Sequence, residues 1–576
     1  MTDRILALHR MDLGVAAQLQ AQLQAQLQAH SAARLAPGAA PILTVLDPVL
    51  HTHAVFNGFP QAQLAPLPFC DISTGVVPRA WAATRTLCAA LDEVLAGLVP
   101  EAAGAAWCGH WLQHLHMATL GYRHMARLAA APWAGDRLHV LLPDLPYAFG
   151  HHSFAPGLVL SDALRAAGVA VQLYASDLPP WHPPMLPDVL ASDAAVDLLC
   201  HLPTCFYDAA GFSAEILASG RRTLVLPSQT YDVPTDGLPR CGLVAPAALA
   251  LHLPADLLAR IDDTLQRAAA VLVQHLVPLL PGAGCLHKQV QALLAGLRHN
   301  ALVFFTLVQR FARQPPAVLL MSNHDAGLHG ALYSFARRCQ VRTLQVPHSK
   351  IFNVPLKSRG HDVLCLTHAL QGGDVLDLHG DRMPTAVLDF GESLRFDAAP
   401  TRPLATLGIV LNTLSDMGMV VPDLPRYLDG LRRLRQWCAA HGVQCRLRCR
   451  PNGSAMALLC GALAITPADL VAHQDGPITD FGRGCDLVIG YDTPTSGLFE
   501  LLDQGLPVMQ ALCRRLGPEE WSMVDAKVVP HLPVDQVLPR LAAFRDEPLA
   551  LWQFRQDQLG QYTRARSRAM PLRHWL

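Results

Sequence analysis

The spacing of apolar positions divides this chain into short buried strands and longer helices. Over 16–30, AAQLQAQLQAQLQAH places Leu19, Leu23 and Leu27 at i, i+4 and i+8, one apolar stripe on a surface helix. A strand follows at 42–46, and helices are predicted over 80–99 and 110–130. Strand 138–142, helix 161–167 and strand 169–174 make an αβ unit, with further strands at 196–202 and 222–227. Residues 255–313 are almost wholly helical in period until Gln314-Pro315-Pro316 stops the run. Strand 317–321, helix 326–339 and strands 341–346, 362–366 and 386–390 then lead to strand 406–412. Helix 424–441, strand 443–449, helix 455–463, strand 486–490, helix 497–504 and a short strand at 507–509 follow. Strands alternating with helices predict an α/β chain whose doubly wound parallel sheets are covered on both faces. The proline pair marks a boundary between a domain of 1–315, with helical additions, and a second of 316–546, leaving a helix over 547–576.

Composition adds a compartment. The formal charge of −1 gives no polyelectrolyte signal for nucleic acid. Fifteen cysteines without framework spacing fit reduced thiols, and Asp3, Arg4, Arg10 and Asp12 interrupt what a signal peptide would need. The expected location is cytoplasmic. The apolar run 268–287 is broken by Pro278, Pro281, Gly282 and Gly284 and reads as a buried helix and turn. Peripheral contact with the inner membrane stays open. Cys438, Cys445 and Cys449 near His441 lack zinc-knuckle spacing. His110 and His114 share a helix face without the metalloprotease Glu between them, so no metal site is expected.

The richest stretch is 485–508, CDLVIGYDTPTSGLFELLDQGLPV. An apolar strand runs into the hydroxyl-rich turn Thr493-Pro494-Thr495-Ser496-Gly497, a helix carrying Glu500 follows, and Gly505-Leu506-Pro507-Val508 opens another strand. A strand end, a Ser/Thr/Gly turn and a helix N-terminus make an anion site, because backbone N–H groups, hydroxyls and the helix dipole all favour negative charge. The competing account of the same residues is an ordinary helix cap. The stretch resembles the donor-binding end of GT-B glycosyltransferases, most closely those that build bacterial capsule and lipopolysaccharide, with Kdo and sialic-acid transferases nearest. The resemblance covers roughly 316–515. It implies two Rossmann-like domains facing a cleft, a nucleotide-sugar donor on the C-terminal one, and a C-terminal helix that crosses back to the first.

Other strand ends carry polar clusters, and ligands of doubly wound sheets bind at those ends. His348, Ser349 and Lys350 follow strand 341–346 and resemble the Pro/His loop of capsule-type transferases. Asn412 stands at the end of strand 406–412, and Arg450 follows strand 443–449 in Arg-Pro-Asn, where related enzymes carry a basic residue followed by His-Pro. Arg446 and Arg448 share the face of Arg450, so plain strand-surface charge is the competing account. Asp144, His151, His152 and Asp232 sit after strands of the first half and are the candidates for the base that an acceptor hydroxyl needs.

The resulting expectation is a transferase moving a sugar from a CMP- or UDP-linked donor, CMP slightly favoured, to a bacterial surface glycan or other acceptor. No tightly bound cofactor is expected, and the chain has no Asp-x-Asp metal motif. A non-hydrolysing nucleotide-sugar epimerase, which needs no acceptor, and a non-catalytic binding scaffold are the rivals.

Overall fold

The computed structural model describes residues 2–7, 12–31, 41–46, 48–56, 58–65, 69–99, 103–143, 156–176, 185–191, 193–202, 209–227, 237–280, 282–322, 328–346, 362–366, 384–389, 402–411, 424–449, 455–471, 476–492, 495–513 and 528–576. The expected α/β architecture is present. Its main strands form three parallel sheets rather than two.

The first sheet takes β1 (Asp3–Ala7), β2 (Ile42–Val45), β3 (Gln63–Leu64), β4 (Arg137–Pro143) and β5 (Ala170–Ser176) in the order β3-β2-β1-β4-β5. Its connecting helices are α1 (Asp12–Ser31), α2 (Pro48–Phe56), α3 (Phe69–Leu95), α4 (Ala103–Ala129) and α5 (Pro156–Ala166). The Ala-Gln-Leu-Gln tract is α1. Leu19 and Leu23 are buried with Ile5, Ala7, Leu43 and Val45, while Gln18, Gln22 and Gln24 stay exposed. The leucine stripe therefore faces the sheet, as its spacing requires.

The middle region holds β6 (Leu186–Asp188), β7 (Leu198–His201), α6 (Ala209–Ala218), β8 (Thr223–Val225), β9 (Gly242–Val244) and α7 (Pro246–Ala250). Two long helices follow, α8 (Ala255–Leu276) and α9 (Gly282–Phe311), then β10 (Val318–Met321), α10 (His329–Cys339), β11 (Arg342–Gln345), β12 (Val363–Leu366) and β13 (Thr385–Asp389). β6 and β9 pair antiparallel by themselves. β7 and β8 join the later strands in one sheet, with β10 paired in parallel to β7 from Val318↔Leu198 to Met321↔His201. The sheet thus runs across the boundary expected at 315–316. Pro315 and Pro316 do end a helix, but a helix end is a local event and a domain end is not. The Gln289–Phe311 part of α9 is long and apolar enough to cross a membrane, and 72% of its apolar window is buried within the protein. It packs with Leu199, Leu319 and Met321 in the core of the middle sheet.

The third sheet follows β14 (Thr406–Leu411), α11 (Leu424–Ala440), β15 (Gln444–Cys449), α12 (Met456–Leu463), α13 (Pro467–Val471), α14 (Ile478–Arg483), β16 (Leu487–Tyr491), α15 (Gly497–Asp503), β17 (Val508–Leu512), β18 (His531–Pro533) and α16 (Val534–Asp546). Its order is β15-β14-β16-β17-β18, which is the doubly wound order 2-1-3-4-5. Alternate residues of β16 feed two cores. Leu487, Ile489 and Tyr491 pack with α11, α12 and α16, and Val488 packs with α14 and α15. Both faces are covered, which explains why β16 and β17 are buried at every position. Finally α17 (Pro548–Arg566) leads to β19 (Met570–Pro571) and α18 (Leu572–Trp575), and β19 pairs in parallel with β13 of the middle sheet.

Candidate functional site

In a 2-1-3-4-5 sheet the connections diverge between the first and third strands, and the crevice at their carboxyl ends takes the ligand. Here that point lies between β14 and β16, which pair from Leu407↔Leu487 to Leu411↔Tyr491. β16 leaves its sheet through Asp492 and enters α15 through Thr495 and Ser496.

Of the residues singled out from sequence, Thr495, Ser496, Gly497 and Glu500 belong to this turn. Thr495, Ser496 and Glu500 are half-buried and Gly497 is buried. Ser496 is the cap position of α15, yet its φ of −62° and ψ of −25° are helical and its side chain makes no capping hydrogen bond. The hydroxyl is therefore not consumed as an ordinary cap. The backbone is less open than expected. Leu498 N–H donates to Thr495 O at 3.4 Å and Phe499 N–H to Ser496 O at 3.0 Å, so two donors of the first turn are spent within the turn. Gly497 has a packing reason: a Cβ there would lie 2.4 Å from Ile478 Cδ1.

The remaining expected residues lie outside the described ones: Asp144, His151, His152, Asp232, His348, Ser349, Lys350, Asn412, Arg450 and Thr493. The strands that precede several of them are well defined. β14 ends at Leu411 and β15 at Cys449, neighbours in the third sheet. β4 ends at Pro143 in the first sheet, whereas β8 belongs to the middle one, so the strands before Asp144 and Asp232 sit in different sheets. Arg446 and Arg448 favour the strand-surface account. Arg446 packs over Gly484, and Arg448 Nη2 donates to Gly476 O at 2.8 Å.

Sequence reasoning missed three residues at the same crevice. Asp492 is fully buried with a left-handed φ of 60°, and Cys513 Sγ donates to its Oδ1 at 2.7 Å. Tyr427, in the first turn of α11, is 1% exposed, and its hydroxyl has no hydrogen-bond partner among the described residues. Burial first, then the neighbouring Tyr491, Asp492, Cys449 and Cys513, push the Tyr427 phenol well above its ordinary range, so it stays a neutral O–H donor. Tyr491 meets the Tyr427 ring edge-on at 4.8 Å and donates its own hydroxyl to Tyr427 O at 2.6 Å. Gly430 makes room for that hydroxyl, since a Cβ there would lie 2.5 Å from it. The only local signal was Asp492, the acid directly before the hydroxyl turn.

A cavity of about 540 Å³ opens beside these residues, lined by Arg426, Asp429, Gly430, Arg433, Cys513 and Asp535 among others. Arg433 pairs with Asp535 across it. A second cavity of about 360 Å³, lined by Arg402, Arg483, Trp552 and Arg555 among others, lies at the amino ends of β16 and β17, beside Asp486 and Pro507. The carboxyl edge is the ligand edge in this fold, so the larger cavity is the candidate.

Among the described residues no three metal-ligating side chains cluster. The His110 and His114 side chains lie outside them. His116 is buried, with Nδ1 2.9 Å from Thr84 Oγ1, whose own proton goes to Ala80 O. His441 stacks on Trp437, and its Nδ1 lies 2.8 Å from the Trp437 carbonyl oxygen.

No family model matches this sequence, and no curated protein does. Solved structures similar to it include the glycotransferase of kitacinnamycin, at 13% identity and TM-score 0.34, covering 65% of this chain and 98% of that one. The O-GlcNAc transferase of Thermobaculum terrenum, at 13% and 0.33, covers 90% of this chain and 82% of its own. A UDP-N-acetylglucosamine 2-epimerase, at 9% and 0.33, covers 65% and 94%.

Proposed function

We propose that this chain is a glycosyltransferase of GT-B type that moves a sugar from a nucleotide sugar to a glycan acceptor. The carrying observation is the switch point of the third sheet. There the Thr495–Ser496 turn lies at the same carboxyl edge of the sheet as the neutral Tyr427 phenol and a cavity lined by Arg426 and Arg433. Hydroxyl donors and guanidinium groups are what a departing phosphate needs, because they stabilise charge that grows in the transition state. On this reading Ser496 and Thr495 contact the phosphate and Glu500 faces the ribose or base. His348, Lys350 and Arg450 add positive charge, and the base is drawn from Asp144, His151, His152 and Asp232.

The donor we favour is a CMP-sugar, and the acceptor a bacterial surface glycan reached from the cytoplasm. A monophosphate leaving group fits hydroxyls and a few cations without a divalent ion. The test is a thermal-shift series with CMP, UDP, GDP and CDP, since a ligand of the native state raises its apparent stability. CMP is expected to raise the melting temperature equally with and without EDTA. Tyr427→Phe is expected to weaken that binding about two- to tenfold, the worth of one hydrogen bond. A shift with UDP alone overturns the donor, and no shift with any nucleotide overturns the reading.

A further inference from the structure

α17 is held by polar contacts along one stripe. Arg555, Gln558, Tyr562 and Arg566 fall at i, i+3, i+7 and i+11, and all four are buried. Two of them converge on Asp503, the last residue of α15. Tyr562 Oη donates to Asp503 Oδ1 at 2.8 Å, and Arg566 Nη1 donates to the same oxygen at 2.8 Å. A carboxylate at a helix C-terminus faces the negative end of the dipole, so Asp503 is poorly placed without a cation. The Arg566 guanidinium has a second acid. Its Nη2 lies 3.7 Å from Asp389 Oδ1, and Asp389 is the last residue of β13, in register with Pro571 of β19. One guanidinium therefore touches a carboxylate from the third sheet and one from the middle sheet.

We propose that Arg566 is a positioning residue that fixes the Thr495–Gly497 turn relative to the middle sheet, acting through Asp503. α15 has seven residues and spans about 10 Å, so its two ends move as one body. A planar fork suits this place better than an ammonium, because it addresses two carboxylates in fixed directions. That the turn contacts a nucleotide sugar rests on the function proposed above; the link between the sheets does not.

Hydrogen exchange over 495–503 in the full chain tests the link. Asp389 is 44% exposed, so Asp389→Asn is a mild change. It is expected to speed exchange over 495–503 about three- to tenfold although it lies in another sheet. Arg566→Lys keeps the charge, loses the fork and should give a similar rise, and adding Asp389→Asn to it should change nothing more. Unchanged exchange over 495–503 in Asp389→Asn, or additive effects in the double variant, overturns the proposal. Exchange of the unaltered chain with CMP or UDP judges the nucleotide reading separately. Protection of 495–503 by neither sinks that reading while the variants still decide the link.

Discussion

Asp492 stands where β16 gives way to the hydroxyl turn. Three described non-glycine residues have positive φ: Gln340, Ala464 and Asp492. Gln340 and Ala464 close α10 and α12, where a left-handed residue is ordinary. Asp492 closes a strand instead, fully buried, and such strain is kept where surrounding contacts impose it. Its amide donates to Ala511 O at 2.8 Å and its carboxylate accepts from the Cys513 thiol, so β17 and the residue that follows it hold Asp492 at both ends. Gln510, two residues before Leu512, is a different case. It is fully buried, and neither end of its amide has a hydrogen-bond partner among the described residues. An unmet buried amide costs about 1–3 kcal/mol, so Gln510→Met, of similar volume, should raise stability by about 1 kcal/mol or more. Urea denaturation measures it, and a clear loss of stability would show that the amide is satisfied in solution.

At the scale of elements, α17 binds the third sheet by reading its backbone. Gln558 accepts from Val508 N at 2.8 Å and donates to Val508 O and Val528 O, each at 2.7 Å. Gln558→Ala strands these buried groups, and a loss of about 2–4 kcal/mol is expected in the denaturation midpoint. A change below about 0.5 kcal/mol would mean that water replaces the amide. Elements with strong local pattern were legible in the sequence. β16, α15 and β17 announced themselves through Leu487-Val488-Ile489, the hydroxyl turn and Gly505-Leu506-Pro507. β1, β18 and β19 did not: they have five, three and two residues, and β18 is His-Leu-Pro, which only its partner β17 makes a strand. The sheet that crosses 315–316 was invisible for the same reason, because pairing of β10 with β7 is not a local property. The site divides likewise. Ser496 and Gly497 belong to a contiguous motif, so they stood out before the fold was known. Tyr427 reads as a core aromatic until its contact with Tyr491, 64 residues on, places it at the crevice.

For the molecule as a whole, buried histidines set an acid limit. Burial, with a smaller push from His275, lowers the His116 pKa to about 4, and burial with Arg298 lowers that of His299 to about 4. In the unfolded chain both titrate near 6.5. Between those values the unfolded state binds more protons, so stability is complete above pH 6.5 and falls as pH drops toward 4. Each histidine accounts for a loss on the order of 2–3 kcal/mol. Denaturation midpoints across pH 4 to 7 should show this slope, and His116→Gln should flatten it. An unchanged slope in that variant would place the acid sensitivity elsewhere. The three sheets are also tied in sequence order in an unequal way. Met570–Pro571 completes the edge of the middle sheet beside Asp389, 181 residues after that strand has been made (570 − 389). At the usual rate of synthesis the ribosome takes about ten to forty seconds to cover that interval. Throughout it the nascent chain lacks β19, which among the described residues is what pairs with that edge of β13, and an unpaired edge is the surface on which growing polypeptides pair wrongly with one another. The yield of this protein in a cell should therefore depend on what shields that edge during translation.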